Sequence, residues 1–180
     1  MEKELFDQNV LNQIKDLLTT RKEALAIAES VTAGYLQAAL ASAEEAMEFF
    51  QGGITTYNLI QKMKHLQVEP IHAASVNCVS KQVAHEMATH VTKLFNCSWG
   101  MAITGYASPV PEQDVFDLHA YIAVAYHGDC LLCEKLTTTA NHPTAARLEY
   151  TRQALQCLST VIASHEQRSF SVTPSRHVNY

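Results

Sequence analysis

No stretch of the 180-residue chain stays apolar for the roughly 18 residues that a membrane-spanning helix needs. Basic residues are scarce as well: 13 Lys and Arg stand against 18 Asp and Glu, for a formal net charge of −5. Nucleic-acid grooves draw on clustered cations, so neither nucleic acid nor membrane is an expected partner. A lone phosphate needs only a helix N-terminus and a few backbone amides, which leaves a small mononucleotide open as a ligand. The opening MEKELFDQNV lacks the basic-then-apolar order of a secretory signal. The five cysteines, Cys78, Cys97, Cys130, Cys133 and Cys157, are an odd number set in apolar stretches. An unexported, cytoplasmic protein with reduced thiols is expected.

Cofactor signatures are missing too. The chain has no P-loop and no dinucleotide G-x-G-x-x-G, and neither an internal repeat nor a low-complexity block. His85 and His90 sit one residue too far apart for a zinc-protease helix, diverging by about 140° around the axis. Cys130-x-x-Cys133 has no second pair at ligand spacing. No metal and no organic cofactor are expected.

What is present is an ordinary globular balance, 47% hydrophobic and 17% charged, in a length that suits one domain. Helical spacing of Val10, Leu11, Ile14, Leu17 and Leu18 predicts an amphipathic helix over residues 8–20. The unbroken apolar run from Ala24 to Ala28 reads as a buried parallel strand that ends at Glu29-Ser30, before a helix rich in Ala and Leu. A strand that Tyr57 closes follows Gly52-Gly53, and then a helix from Leu59 to about Leu66 carrying Lys62. Ser80 is a candidate cap for residues 81–95, and residues 99–104 read as a core strand. The loop from Tyr106 to Asp114 reads as a rim of the site. Strands at 119–126 and 130–136 meet across His127-Gly128-Asp129, and a last helix covers about 144–164. The expected fold is a single three-layer α/β/α domain, residues 1–164, with a mixed, mostly parallel sheet and a polar C-terminal tail over 165–180. The apolar helices and the tail leave room for a homo-oligomer.

Ser30 stands out on residue chemistry alone. A small hydroxyl on a strand-to-helix turn faces the crevice above a sheet and lies near unpaired helix amides, a place for a nucleophile or an anion contact. It could equally be a plain helix cap, and Thr32 carries the same two readings. Tyr57 could be a core aromatic and Lys62 a solvated helix lysine.

Ala28-Glu29-Ser30-Val31-Thr32-Ala33-Gly34 resembles the A-E-S-C-T-G-G signature of the CinA C-terminal domain family, the nicotinamide-nucleotide amidases. The later segments agree in order: residues 50–58 with Lys62 resemble F-x-G-G-V-x-x-Y-S-N-x-x-K, residues 79–84 resemble V-S-E-E-V-A, and residues 103–109 resemble V-T-G-I-A-G-P. Arg147 falls where the family carries an arginine, and the likeness runs from about residue 8 to about residue 164. The family's larger members carry a further N-terminal domain, so the chain reads as a stand-alone version.

The resemblance implies hydrolysis of the carboxamide of nicotinamide mononucleotide to nicotinate mononucleotide and ammonia. Ser30 would attack the amide carbon while Lys62 and Tyr57 share the proton traffic. Thr32, Gly34, Gly52 and Gly53 fall in the matched substrate-binding stretches, where the glycines would let backbone approach the ligand. Thr104 and Gly105 would offer a hydroxyl and an amide to phosphate or ribose, and Arg147 would pair with phosphate. The sequence departs from the pattern at Val31, Ala33, Tyr106 and Ser108, and Val110 to Leu118 holds no glycine. Those departures keep two alternatives in play: a catalytically silent relative that binds a nucleotide or a protein, and an amidase for another small substrate.

Overall fold

The computed structural model describes residues 5–171, with side chains described as far as residue 165. Local chemistry sets most element boundaries. Helix α1, Gln8–Arg21, begins where Asp7 accepts from the Asn9 amide and stops at Lys22 in the left-handed region. Strand β1, Leu25–Glu29, is buried along its whole length, as a strand covered on both faces must be. Helix α2, Tyr35–Ala41, and strand β2, Phe50–Thr55, follow. Helix α3, Leu59–Leu66, is capped by Asn58. Helix α4, Pro70–Ser75, is one the sequence reading lacks. Glu69 caps it and Pro70 opens it, a pairing that the proline-at-N1 preference explains. Helix α5, Lys81–Phe95, starts at Ser80, whose hydroxyl accepts from the Val83 amide as expected.

Strands β3, Trp99–Gly105, β4, His119–Tyr126, and β5, Asp129–Thr137, complete a five-stranded sheet of order β2-β1-β3-β4-β5. The sheet is mixed. β1 pairs parallel with β2 and β3, whereas β3 with β4 and β4 with β5 are antiparallel, so parallel pairings make up half rather than most of it. The tight turn at His127 and Gly128, with φ of 49° and 91°, forces the last pairing to be antiparallel. Helix α6, Pro143–Ser171, runs seven residues past the expected end at 164, because Glu166-Gln167-Arg168 are good helix formers. The rest of the expected tail, 172–180, lies outside the described residues.

The two faces of the sheet differ in bulk. Leu25 and Ile27 of β1, Trp99, Met101 and Ile103 of β3, and Ile122 and Val124 of β4 pack under α1, α2 and α6. The alternate positions, Ala26, Ala28, Ala102, Ala123 and Ala125, meet α3, α4 and α5. Small residues there let α5 ride close to the sheet: a Cβ on Gly100 would fall 2.4 Å from the Ala88 carbonyl oxygen. Each large side chain on the first face contributes about 1.5–3 kcal/mol by burial. The layers hold the carboxyl ends of β1 and β3 side by side, and the crevice opens above them.

Candidate active site

The turn after β1 is organised by Glu29, which the sequence reading passed over. Its buried carboxylate folds forward and accepts from Thr32 Oγ1 at 2.6 Å and from the amides of Gly34, Leu36 and Gln37 at 3.0, 3.1 and 2.9 Å. Those amides are the donors that open α2, and a carboxylate at a helix N-terminus is also favoured by the helix dipole. Gly34 holds the N-cap position of α2, and the side chain that satisfies the helix's opening amides is Glu29 rather than Ser30 or Thr32. Thr32 and Gly34 spend their hydroxyl and amide on Glu29, and neither is among the residues lining the cleft. Ser30 is left with its hydroxyl turned to the cleft, while its own N–H donates to Ile103 O at 3.0 Å and ties the turn to β3.

This turn requires two residues of positive φ, Ala33 at 52° and Gly34 at 101°. A Cβ on Gly34 would meet nothing within 4 Å, so conformation rather than space favours glycine there. Ala33 takes the left-handed conformation with a methyl in place, at a cost of about 1 kcal/mol. Ala33→Gly is expected to raise stability by up to about 1 kcal/mol, or about 2–4 °C in Tm for a chain of this size, read by thermal unfolding.

Lys62 comes to Ser30 from the next unit along the chain. Thr56 N–H donates to Glu29 O at 2.9 Å, so the chain leaves the end of β2 beside Ser30 before Asn58 starts α3. Lys62, in the first turn of that helix, is 1% exposed. Its Nζ donates to Ser30 Oγ at 2.8 Å and to Thr56 O at 2.7 Å. No carboxylate shares this site. Burial without a counter-charge pushes the Lys62 pKa down to about 8, and the neighbouring Cys78 thiol, when ionised, pulls it part of the way back. The same burial raises Cys78, with Lys62 opposing.

Around this pair lies a cleft of about 530 Å³. Tyr57 stands past the end of β2 rather than closing it, and forms part of the wall at 65% exposure. Its hydroxyl makes no hydrogen bond among the described residues, so it is not joined to Ser30 or Lys62. Thr104 and Gly105 line the cleft at the end of β3. The Thr104 hydroxyl donates to Cys78 O at 2.7 Å and so holds the turn between α4 and α5. Gly105 leaves room for β4, since a Cβ would fall 2.5 Å from Ala120. Gly52 and Gly53 do not line the cleft. A Cβ on Gly53 would strike the Gln37 side chain at 2.7 Å, so this glycine serves the packing of α2 on β2.

Arg147, in the first turns of α6, reaches the cleft from the far side. Its Nε is buried without a hydrogen-bond partner, and its guanidinium pairs with no carboxylate among the described residues. The lining thus carries two cations, Lys62 and Arg147, and no anionic side chain. Such a cleft favours an anionic ligand. Asn77 and Cys78 also line it without having been anticipated as site residues, and Tyr106 lines it as the first residue of the expected rim loop. Asn77 and Cys78 sit at φ of 47° and 60°, and the tolerance of Asn for that region was the one available signal. Among the described residues, no group of three or more His, Cys, Asp or Glu is arranged to hold a metal.

Comparison with known proteins gives one consistent family. The CinA C-terminal domain matches residues 7–162. A CinA-like protein of Picosynechococcus is 41% identical over 100 residues, covering 56% of this chain and 24% of that protein. A CinA-like protein of Trichodesmium erythraeum is 34% identical over 124 residues, 68% of this chain and 29% of its own length. The matched stretches thus span about a quarter of these curated relatives. A competence-damaged protein (CinA) superfamily protein from Klebsiella pneumoniae superposes with a TM-score of 0.82 at 25% identity, covering 90% of this chain and 99% of that one. A superfamily protein from Escherichia coli gives 0.76 at 28% identity, covering 85% and 89%.

Proposed function

This chain belongs to the CinA C-terminal domain family, and from that premise we propose that it is a serine amidohydrolase that cleaves the carboxamide of nicotinamide mononucleotide. The observation that carries this reading is the 2.8 Å hydrogen bond between Lys62 Nζ and Ser30 Oγ. A serine hydroxyl becomes a useful nucleophile when a neighbouring base removes its proton, and a lysine serves as that base once burial has lowered its pKa. With a pKa of about 8, about a tenth of Lys62 is neutral at pH 7. The neutral amine turns its lone pair to the Ser30 hydroxyl while one N–H stays on Thr56 O.

In the forward step, Lys62 takes the Ser30 proton and Ser30 Oγ bonds to the carboxamide carbon. The tetrahedral adduct collapses as the Lys62 ammonium, aided by the Tyr57 hydroxyl, protonates the departing nitrogen, and ammonia leaves. An acyl ester remains on Ser30. A water molecule then gives its proton to neutral Lys62 and attacks the ester, which releases nicotinate mononucleotide and returns the proton to Ser30 Oγ. Arg147 holds the phosphate, as a guanidinium without a carboxylate partner is suited to do. Ala33 does not spoil the nucleophile turn, because it adopts the required left-handed conformation.

The pH dependence follows from the base. Lys62 must be neutral to act, so kcat/KM for ammonia release should rise about tenfold per pH unit below pH 8 and level off above it. A pH–rate profile between about pH 6 and 10 reads this directly. A rate already flat from pH 6 upward would remove Lys62 from the role.

A further inference from the structure

The turn between α4 and α5 lies against the end of β3, where the Thr104 hydroxyl donates to Cys78 O, and at the exposed rim of the cleft a bridge between two side chains joins the same segments. Asn77 Nδ2 donates to the Tyr106 hydroxyl at 3.4 Å, and both residues line the cleft. Each end of this bridge is held from behind. Tyr106 N–H donates to His119 O at 2.9 Å, its carbonyl accepts from the Tyr150 hydroxyl at 3.2 Å, and its ring packs edge-on against His119 with centroids 5.4 Å apart. On the other wall, Asn77 and Cys78 occupy successive left-handed conformations, and the Thr104 hydroxyl ties that turn to β3 through Cys78 O at 2.7 Å. Strained backbone of this kind persists where surrounding contacts over-determine it, and it clusters at ligand-binding sites.

We propose that Asn77 and Tyr106 form a crossbar that sets the length of substrate the cleft admits, so that Tyr106 is a specificity-determining residue. This rests on the amidase reading above. Ser30 and Arg147 line one cleft of about 530 Å³, within the roughly 300–1,000 Å³ usual for sites that enclose one small molecule, which suits a mononucleotide. A dinucleotide bearing the same carboxamide must extend its second nucleotide past the bar. It has to break the bridge or clash with a tyrosine fixed at its backbone and its ring. Discrimination then comes from a built-in obstruction rather than from an extra contact to the favoured ligand.

The test is a ratio of affinities, measured by titration calorimetry in the Ser30→Ala background so that nothing is turned over. Nicotinamide mononucleotide and nicotinamide adenine dinucleotide are the two probes. Asn77→Gly deletes the amide while keeping a residue at ease at φ 47°, and Tyr106→Ala removes the other half of the bar. Each should lower the dinucleotide-to-mononucleotide ratio of Kd values by about tenfold or more. A ratio within about twofold of the parent in both variants, with folding intact, overturns the crossbar. Absence of ammonia release by the wild-type protein, with the ratio still shifting, overturns the amidase reading and leaves the crossbar standing.

Discussion

Ser30→Ala is expected to cut ammonia release from nicotinamide mononucleotide by about a thousandfold or more, with the fold intact. The size of the effect follows from the loss of the atom proposed to form the acyl bond. The cost to stability is small, because only one end of the Lys62 hydrogen-bonding pattern is lost and Thr56 O remains. About 1 kcal/mol, or a few degrees of Tm, is the expected change. A serine that served only as a helix cap would give a similar loss of stability with no effect on chemistry. The structure separates those roles, since Glu29 accepts from the α2 amides and the Ser30 hydroxyl faces the cleft. Steady-state rates and thermal melts on the same preparation therefore distinguish a nucleophile from a cap.

Lys62→Met should show the opposite pairing of effects: activity lost by about a thousandfold, stability gained near neutral pH. Burial lowers the Lys62 pKa to about 8, so between about pH 8 and 10.5 the unfolded chain binds a proton that the native protein does not. Stability supported by this group rises with pH across that window, and below pH 8 the full cost of burying the ammonium is present. That cost is on the order of 3 kcal/mol. Methionine fills a similar volume without a charge, at the expense of the hydrogen bonds to Ser30 and Thr56, each worth about 1 kcal/mol. A net gain of about 1 kcal/mol at pH 7 is expected, together with a flatter stability profile between pH 8 and 10.5. Denaturant melts at pH 7 and pH 10 read both quantities. A lysine in an ordinary structural ion pair would destabilise the protein when replaced, so a drop in stability at pH 7 would contradict the account.

How far the sequence can be read depends on whether each signal is local. The strand at Leu25–Glu29, the α1 stripe and the Ser80 cap are all encoded within a few residues, and they emerge from periodicity and capping rules as observed. Helix α4 is only six residues long, too short for a stripe, and is announced only by Glu69-Pro70. The start of α2 shows a different limit. Capping rules look to a residue whose side chain reaches two or three positions ahead, whereas Glu29 reaches Gly34, Leu36 and Gln37 because the turn at Ala33 and Gly34 folds the chain back over it. Gly52 and Gly53 show a third. Glycine beside a candidate site invites a ligand, yet Gln37 occupies the space in front of Gly53, and only the packing of α2 on β2 reveals that. Ser30, Lys62, Tyr57, Thr104, Gly105 and Arg147 meet at one cleft from four separate segments of the chain, a convergence that the ordered motifs of a family can indicate and residue spacing alone cannot. Asn77 and Cys78 belong to no such motif, and only the fold brings them to the cleft.

Incubating the purified protein with nicotinamide mononucleotide at pH 8 to 9 and quantifying both products tests most directly the proposed hydrolysis of the carboxamide by Ser30 with Lys62 as its base. Ammonia and nicotinate mononucleotide should appear in equal amounts, at a rate proportional to protein and absent in Ser30→Ala. A clear rise in Tm on adding the mononucleotide, with no ammonia formed over prolonged incubation, would contradict the claim and mark the protein as a nucleotide-binding relative without catalysis.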